Sequence, residues 1–140
     1  MMVSTRGRYA LRVMIDLAEN GAGDYIPLKE VAARQEISRK YLESIMVSLS
    51  KNRLVEGIHG KGGGYKLIKP PEEYRVGDIL RATEVSLSPV ACLENEGGTC
   101  GRAVKCRTLD MWIKLDKIIT DYLDGITIAD LMKDSYVEGE

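Results

Sequence analysis

The stretch from Leu28 to Tyr65 constrains the chain most, because it sets two helical periodicities and a glycine-rich hairpin in a fixed order. Leu28 to Gln35 predicts a short amphipathic helix with Val31 and Ala32 on its apolar side. Glu36-Ile37-Ser38 breaks it, and Ser38 is of the type that caps the helix that follows. From Arg39 to Asn52, Leu42, Ile45, Met46 and Leu49 recur on one face at helical spacing. Arg39, Lys40, Glu43, Ser50 and Lys51 lie off that face. Leu54 to Ile58 and Tyr65 to Ile68 are short alternating runs joined by His59-Gly60-Lys61-Gly62-Gly63-Gly64, the pattern of a β-hairpin. This order predicts a mainly α fold with a small β-hairpin: a winged helix-turn-helix, whose natural ligand is duplex DNA.

On that expectation the second helix is the recognition helix, with Ser38 at its start and Arg39, Lys40, Tyr41 and Glu43 in its first turn and a half. Arg39 and Lys40 suit guanine or phosphate, and Glu43 suits the cytosine amino group or excludes wrong bases. Tyr41 has two open roles, a ring for the core and a hydroxyl for a phosphate. At the hairpin tip, small residues let backbone approach DNA closely, with His59, Lys61 and Gly62 as wing contacts. A nucleotide cradle would need a helix directly after the glycines, and the sequence places a strand there.

The net charge of −1 argues against a general nucleic-acid binder, but its distribution does not. Residues 1–75 hold 13 Lys/Arg against 9 Asp/Glu, and residues 76–140 hold 7 against 12. A basic front half on an acidic back half suits a protein that meets phosphates with one end only.

Around this element the chain predicts a first helix from Thr5 to Asn20, capped by Ser4. Its Arg6, Arg8 and Arg12 crowd an end where the helix dipole disfavours cations. They are expected to face a phosphate backbone or an acidic partner surface, the alternative being a solvated face. Val76 to Thr83 predicts a short helix. Thr108 to Leu123 predicts a long one, with Trp112, Leu115, Ile119 and Tyr122 in a stripe and Met111, Ile118 and Leu123 beside it. That is more apolar surface than a small domain covers, so the helix is expected to pack against its copy in a homodimer. Thr127 caps a last segment, Ile128 to Lys133. The expected organisation is a DNA-binding domain over 1–75, a linker helix and cysteine loop over 76–107, and a dimerisation helix and tail over 108–140. No apolar run approaches the ~20 residues of a membrane span, and no signal-peptide pattern opens the chain, so a cytoplasmic protein without membrane contact is expected. No nucleophile–base constellation supports an enzyme.

Cys92, Cys100 and Cys106 fall in one glycine-bearing window. Their spacing suits zinc poorly, since zinc favours close Cys pairs and four ligands. An iron–sulfur cluster tolerates such loops, and Arg102, Lys105 and Arg107 would offset thiolate charge. From spacing alone, metal binding and reactive or inert thiols both stay open.

Ser4-Thr5-Arg6-Gly7-Arg8-Tyr9-Ala10-Leu11, Ser38-x-x-Tyr41-Leu42-Glu43, Gly60-x-Gly62-Gly63-Gly64-Tyr65, Val76-Gly77-Asp78-Ile79-Leu80 and Asp110-x-Trp112 together resemble the Rrf-two superfamily of bacterial transcription regulators, to about Lys133. The three cysteines look like those of its iron–sulfur (IscR-like and NsrR-like) branch. The resemblance implies homodimers joined through the long helix, with Cys92, Cys100 and Cys106 as ligands of a cluster, 2Fe–2S in first place and 4Fe–4S second. It also implies that Arg39, Lys40, Tyr41 and Glu43 lie on the recognition helix and His59 and Lys61 on the wing. The chain departs from the branch at two ligand positions. Leu109 stands where IscR-like members carry a histidine, and Arg8 stands where NsrR-like members use a carboxylate. The spacing from Cys92 to Cys100 is also longer than usual. A fourth ligand is left open among Asp110, Glu94, Glu96, a partner-chain carboxylate or an exogenous molecule. The leading expectation is a homodimeric repressor of a DNA operator under cluster control. The alternative is a cluster-free repressor of the same family that responds to thiol oxidation or to a metabolic-enzyme partner.

Overall fold

Ser4 starts the first helix by accepting the Gly7 N–H at 3.0 Å through its hydroxyl, as its sequence position predicts. In the computed structural model, which describes residues 3–21, 23–84, 86–90 and 107–132, α1 spans Thr5–Gly21. It is followed by α2 (Leu28–Gln35), α3 (Arg39–Lys51), β1 (Val55–Ile58), β2 (Gly64–Leu67) and a 3-10 turn (Pro71–Glu73). Then come α4 (Val76–Thr83), α5 (Leu109–Asp124) and α6 (Ile128–Leu131).

The apolar faces of these helices meet in one core. Ala10, Val13, Met14 and Leu17 of α1 are buried with Leu42, Ile45, Met46 and Leu49 of α3. Val31, Ile37, Ile79 and Ile128 close the same cluster. Each fully buried Leu, Ile or Met stabilises the fold by about 1.5–3 kcal/mol relative to exposure. Asp16 is the polar exception at 2% exposed. Arg34 grips it with both fork nitrogens, at 3.0 and 2.8 Å, and the Gln35 amide donates a third bond at 2.9 Å. The hydrogen bond to Asp16 raises the Arg34 pKa further.

The break between α2 and α3 is tight because Glu36 takes the left-handed conformation, with φ 55°. Ser38 then caps α3, accepting the Tyr41 N–H at 3.2 Å. α3 ends one residue short of the expected Asn52, whose amide side chain folds back onto the Ser48 carbonyl at 2.8 Å.

The wing is an antiparallel pair in the register Val55 to Leu67 and Ile58 to Gly64. Ile26 adds a one-residue antiparallel bridge to β2: its N–H donates to the Tyr65 carbonyl at 2.9 Å and its carbonyl accepts the Tyr65 N–H at 3.0 Å. The loop before α2 is thereby sewn to the wing. Tyr74 secures the base of the hairpin from the other side. Its buried hydroxyl donates to the Leu54 carbonyl and accepts the Ile68 and Lys69 N–H groups.

After α5 the chain returns to this core. The Val76 N–H donates to the Ile126 carbonyl at 2.8 Å and the Ile128 N–H to the Tyr74 carbonyl at 2.9 Å. Thr127 and Asp130 form a reciprocal capping box, and α6 ends at Leu131; Lys133, the expected end, lies outside the described residues. α5 itself has no buried residue. Its expected stripe divides between two faces. Trp112, Ile119 and Leu123 are half-buried, whereas Met111, Leu115, Ile118 and Tyr122, at four-three-four spacing, are exposed. Arg81 of α4 links to the end of α5 through Asp124 and to its own helix through Asp78.

Candidate nucleic-acid interface

The outer face of α3 and the wing enclose a groove of about 480 Å³. Arg39, Glu43 and Val47 line it from α3, Lys29 from the start of α2, and Ile58, His59 and Tyr65 from the wing. Arg39 and Glu43 recur one helical turn apart and are exposed, because the opposite face of α3 is taken by Leu42, Ile45, Met46 and Leu49. The structure thus brings Arg39, Glu43 and His59 into one concavity. Lys40, Lys61 and Gly62 are exposed on the same two elements but outside its lining. Ser38 spends its side-chain oxygen on the helix cap.

Tyr41 shows its ring role. It is half-buried, packs on the edge of the core and meets Tyr9 edge-to-face with ring centroids 5.9 Å apart.

Three lining residues were not anticipated from the sequence. Lys29 comes from α2, the helix before α3. Val47 is 53% exposed and Ile58 is 45% exposed, so both present apolar surface to the groove. The available signal was Val47 lying off the apolar periodicity of α3. Apolar side chains at such a surface suit thymine methyl groups.

The arginines of α1 require a correction. Arg6 and Arg12 were expected to face a phosphate or an acidic partner surface, but both are satisfied by neutral acceptors inside the chain. Arg6 donates to the Ser44 hydroxyl and carbonyl, each at 2.8 Å, and to the Ser48 hydroxyl at 2.7 Å. Arg12 donates to the Gln35 side chain and carbonyl, and its guanidinium lies over the Tyr9 ring. Arg8 is exposed and donates to Thr5 at 3.0 Å.

Cys92, Cys100 and Cys106, with Glu94 and Glu96, lie outside the described residues. Of the other candidate ligands, Asp110 is exposed on the first turn of α5 and ion-paired with Lys114 at 3.0 Å. Leu109, just before it, offers no donor atom. Among the described residues no group of three or more His, Cys, Asp or Glu side chains is placed to share a metal. The donor set available in the sequence is therefore three thiols of suitable chemistry, with no fourth protein ligand fixed by the described geometry.

The family model described as "Rrf2: Iron-dependent Transcriptional regulator" matches residues 3–134. The HTH-type transcriptional regulator IscR of Aliivibrio salmonicida is 36% identical over 138 residues, covering 99% of this chain and 81% of that protein. The solved structure of T. potens IscR superposes with a TM-score of 0.75 at 35% identity, over 97% of this chain and 89% of the other. CymR, the global cysteine regulator of B. subtilis, superposes with a TM-score of 0.76 at 34% identity, over 97% of this chain and 99% of the other. These relatives are transcription regulators, and no described helix of this chain is long and apolar enough to cross a membrane.

Proposed function

The chain belongs to the Rrf2 family of transcriptional regulators, and from that premise we propose that it reads duplex DNA as a cytoplasmic homodimer under the control of an iron–sulfur cluster held by Cys92, Cys100 and Cys106. The observation that carries the DNA reading is the shared groove of Arg39, Glu43 and His59 between α3 and the wing. A helix in the major groove would bring the first two to base edges, while the wing tip, with Lys61 and Gly62, reaches the adjoining backbone. Ser38 holds the start of that helix, and Lys40 adds a phosphate contact. The exposed Met111, Leu115, Ile118 and Tyr122 row on α5 supports pairing with a second copy. Two copies related by a dyad would read half-sites about one turn of DNA apart, and the outcome of operator occupancy is repression.

The three thiols fit three of the four positions of a cluster, and the fourth falls to Asp110, to Glu94 or Glu96, to a partner chain or to an exogenous molecule. When bound, the cluster would supply an oxidation-sensitive cross-link of the three thiolates. The chain's own part is mechanical. The window carrying the cysteines runs between α4, packed on the core, and α5, the helix proposed to join the copies, so its state bears on the spacing of the two recognition helices.

Anaerobic purification with an absorption spectrum and iron and sulfide assays, on the wild type and Cys106→Ala, tests the cluster. Iron, sulfide and visible charge-transfer bands in the wild type, lost in the variant, support it. A colourless protein after anaerobic reconstitution overturns it. The likeness to CymR, a cysteine regulator by its description, favours a second reading for that outcome. There the same dimer and groove respond to thiol oxidation or to a metabolic-enzyme partner, with no cluster.

A further inference from the structure

The end of α4 and the proposed recognition helix, α3, both hold the first turn of α1. Glu84, at the C-terminus of α4, accepts both the main-chain N–H and the hydroxyl of Ser4 at 2.8 Å. The Ser4 hydroxyl oxygen in turn accepts the Gly7 N–H at 3.0 Å, so the carboxylate and the helix cap form one chain of hydrogen bonds. A negative group at this end also suits the α1 dipole. The approach is close enough that a Cβ on Gly7 would collide with the Glu84 carboxylate and press on Leu80.

Arg6 lies within that first turn. Its guanidinium makes its three hydrogen bonds to Ser44 and Ser48, one helical turn apart on α3 and flanking the row that carries Glu43 and Val47. A planar fork bonded at two successive turns fixes both the rotation and the axial position of a helix, which a single flexible contact does not. Those two variables decide which base edges Arg39 and Glu43 meet.

We propose that Glu84 and Arg6 are positioning residues for DNA reading, a two-part brace through which the end of α4 sets the pose of the recognition helix. This rests on the DNA-reading function above and goes beyond it, since neither residue touches the groove. Glu84 also caps the C-terminus of α4, from which the chain continues toward Cys92.

The test uses the full chain as wild type, Glu84→Ala, Glu84→Gln, Arg6→Ala and the Glu84→Ala/Arg6→Ala double variant. The probes are a duplex selected by the wild type from a random pool and a scrambled duplex of the same length. Thermal midpoints are measured on every variant. A Gln side chain still offers an oxygen to both Ser4 donors, so Glu84→Gln is expected to keep the ratio of selected to scrambled affinity within about twofold. Glu84→Ala and Arg6→Ala are each expected to lower that ratio by roughly three- to tenfold, with the double variant no worse than either single. An unchanged ratio in Glu84→Ala overturns the brace. So does a parallel fall of both affinities that tracks the thermal midpoint, or a double variant whose losses add. A wild type that enriches no duplex overturns the DNA-reading premise, and the brace with it.

Discussion

The Tyr74 hydroxyl lies 2.7 Å from the Leu54 carbonyl oxygen and donates to it, joining the residue after the 3-10 turn to the residue that opens the wing. The same oxygen accepts the Ile68 and Lys69 N–H groups at 2.8 and 3.2 Å. One buried phenol thus satisfies three main-chain groups at the two ends of the hairpin.

Tyr74→Phe keeps the ring and strands those groups, so it is expected to lower unfolding free energy by about 1–3 kcal/mol. Denaturant titration measures it. The hydroxyl also gives a pH signature. Burial raises the Tyr74 pKa, more than the two N–H bonds lower it. The folded state therefore holds this proton more tightly than the unfolded chain does. The stabilisation is fully present below the ordinary tyrosine value near 10 and is lost as pH rises through the elevated folded value. Tyr74→Phe is expected to flatten the alkaline arm of the stability curve, and an unchanged arm would count against this assignment.

Asp78 sets the opposite arm. Burial tends to raise its pKa, but the hydrogen bonds from Arg75 and Arg81 outweigh that and leave it lowered. Its contribution is present above the ordinary aspartate value and is lost as pH falls through the depressed folded value. Arg81→Met removes one of its partners and frees Asp124, so the acid unfolding midpoint is expected to move to higher pH. The loss at neutral pH is about 1 kcal/mol or less, because these groups are partly exposed.

On the proposed DNA face, Glu43→Ala and Lys61→Ala are expected to differ in kind. Glu43 lines the groove, so its loss relaxes preference at one or two base pairs in a selected-duplex competition. Lys61 stands on the exposed tip, so its loss weakens all duplexes alike and lowers the slope of log affinity against log salt by about 1. Equal losses of affinity with unchanged preference in both variants would overturn these roles.

Ile118 is 64% exposed in the centre of the apolar row on α5. Ile118→Lys costs the single chain little and places a charge in the middle of the proposed seam. Light scattering after gel filtration is expected to change from dimer to monomer with the circular dichroism unchanged. A dimer that persists would place the seam elsewhere.

Much of the fold was legible because its determinants are local. The apolar spacing of α2 and α4 gave their limits, Leu28–Gln35 and Val76–Thr83, and the cap residues Ser4, Ser38 and Thr127 act where the sequence puts them. The hairpin was equally readable, with Gly64 joining the strand and Leu54 and Ile68 leaving it. The exposure of Arg39 and Glu43 was legible by elimination, since the buried face of α3 was already assigned.

Which residues point inward along each element could be read without the rest of the chain, because 3.6-residue and two-residue periodicities are properties of a single segment. The partners of polar side chains depend instead on how the elements pack. Arg6 finds Ser44 and Ser48, Glu84 finds Ser4, and Ile26 finds Tyr65 across long spans of chain. A hydrogen bond depends on where two donor and acceptor atoms come to rest, and packing fixes that. The same reason explains α1, where Arg6 and Arg12 suggested an external anion until the serines of α3 and Gln35 of α2 were brought within their reach.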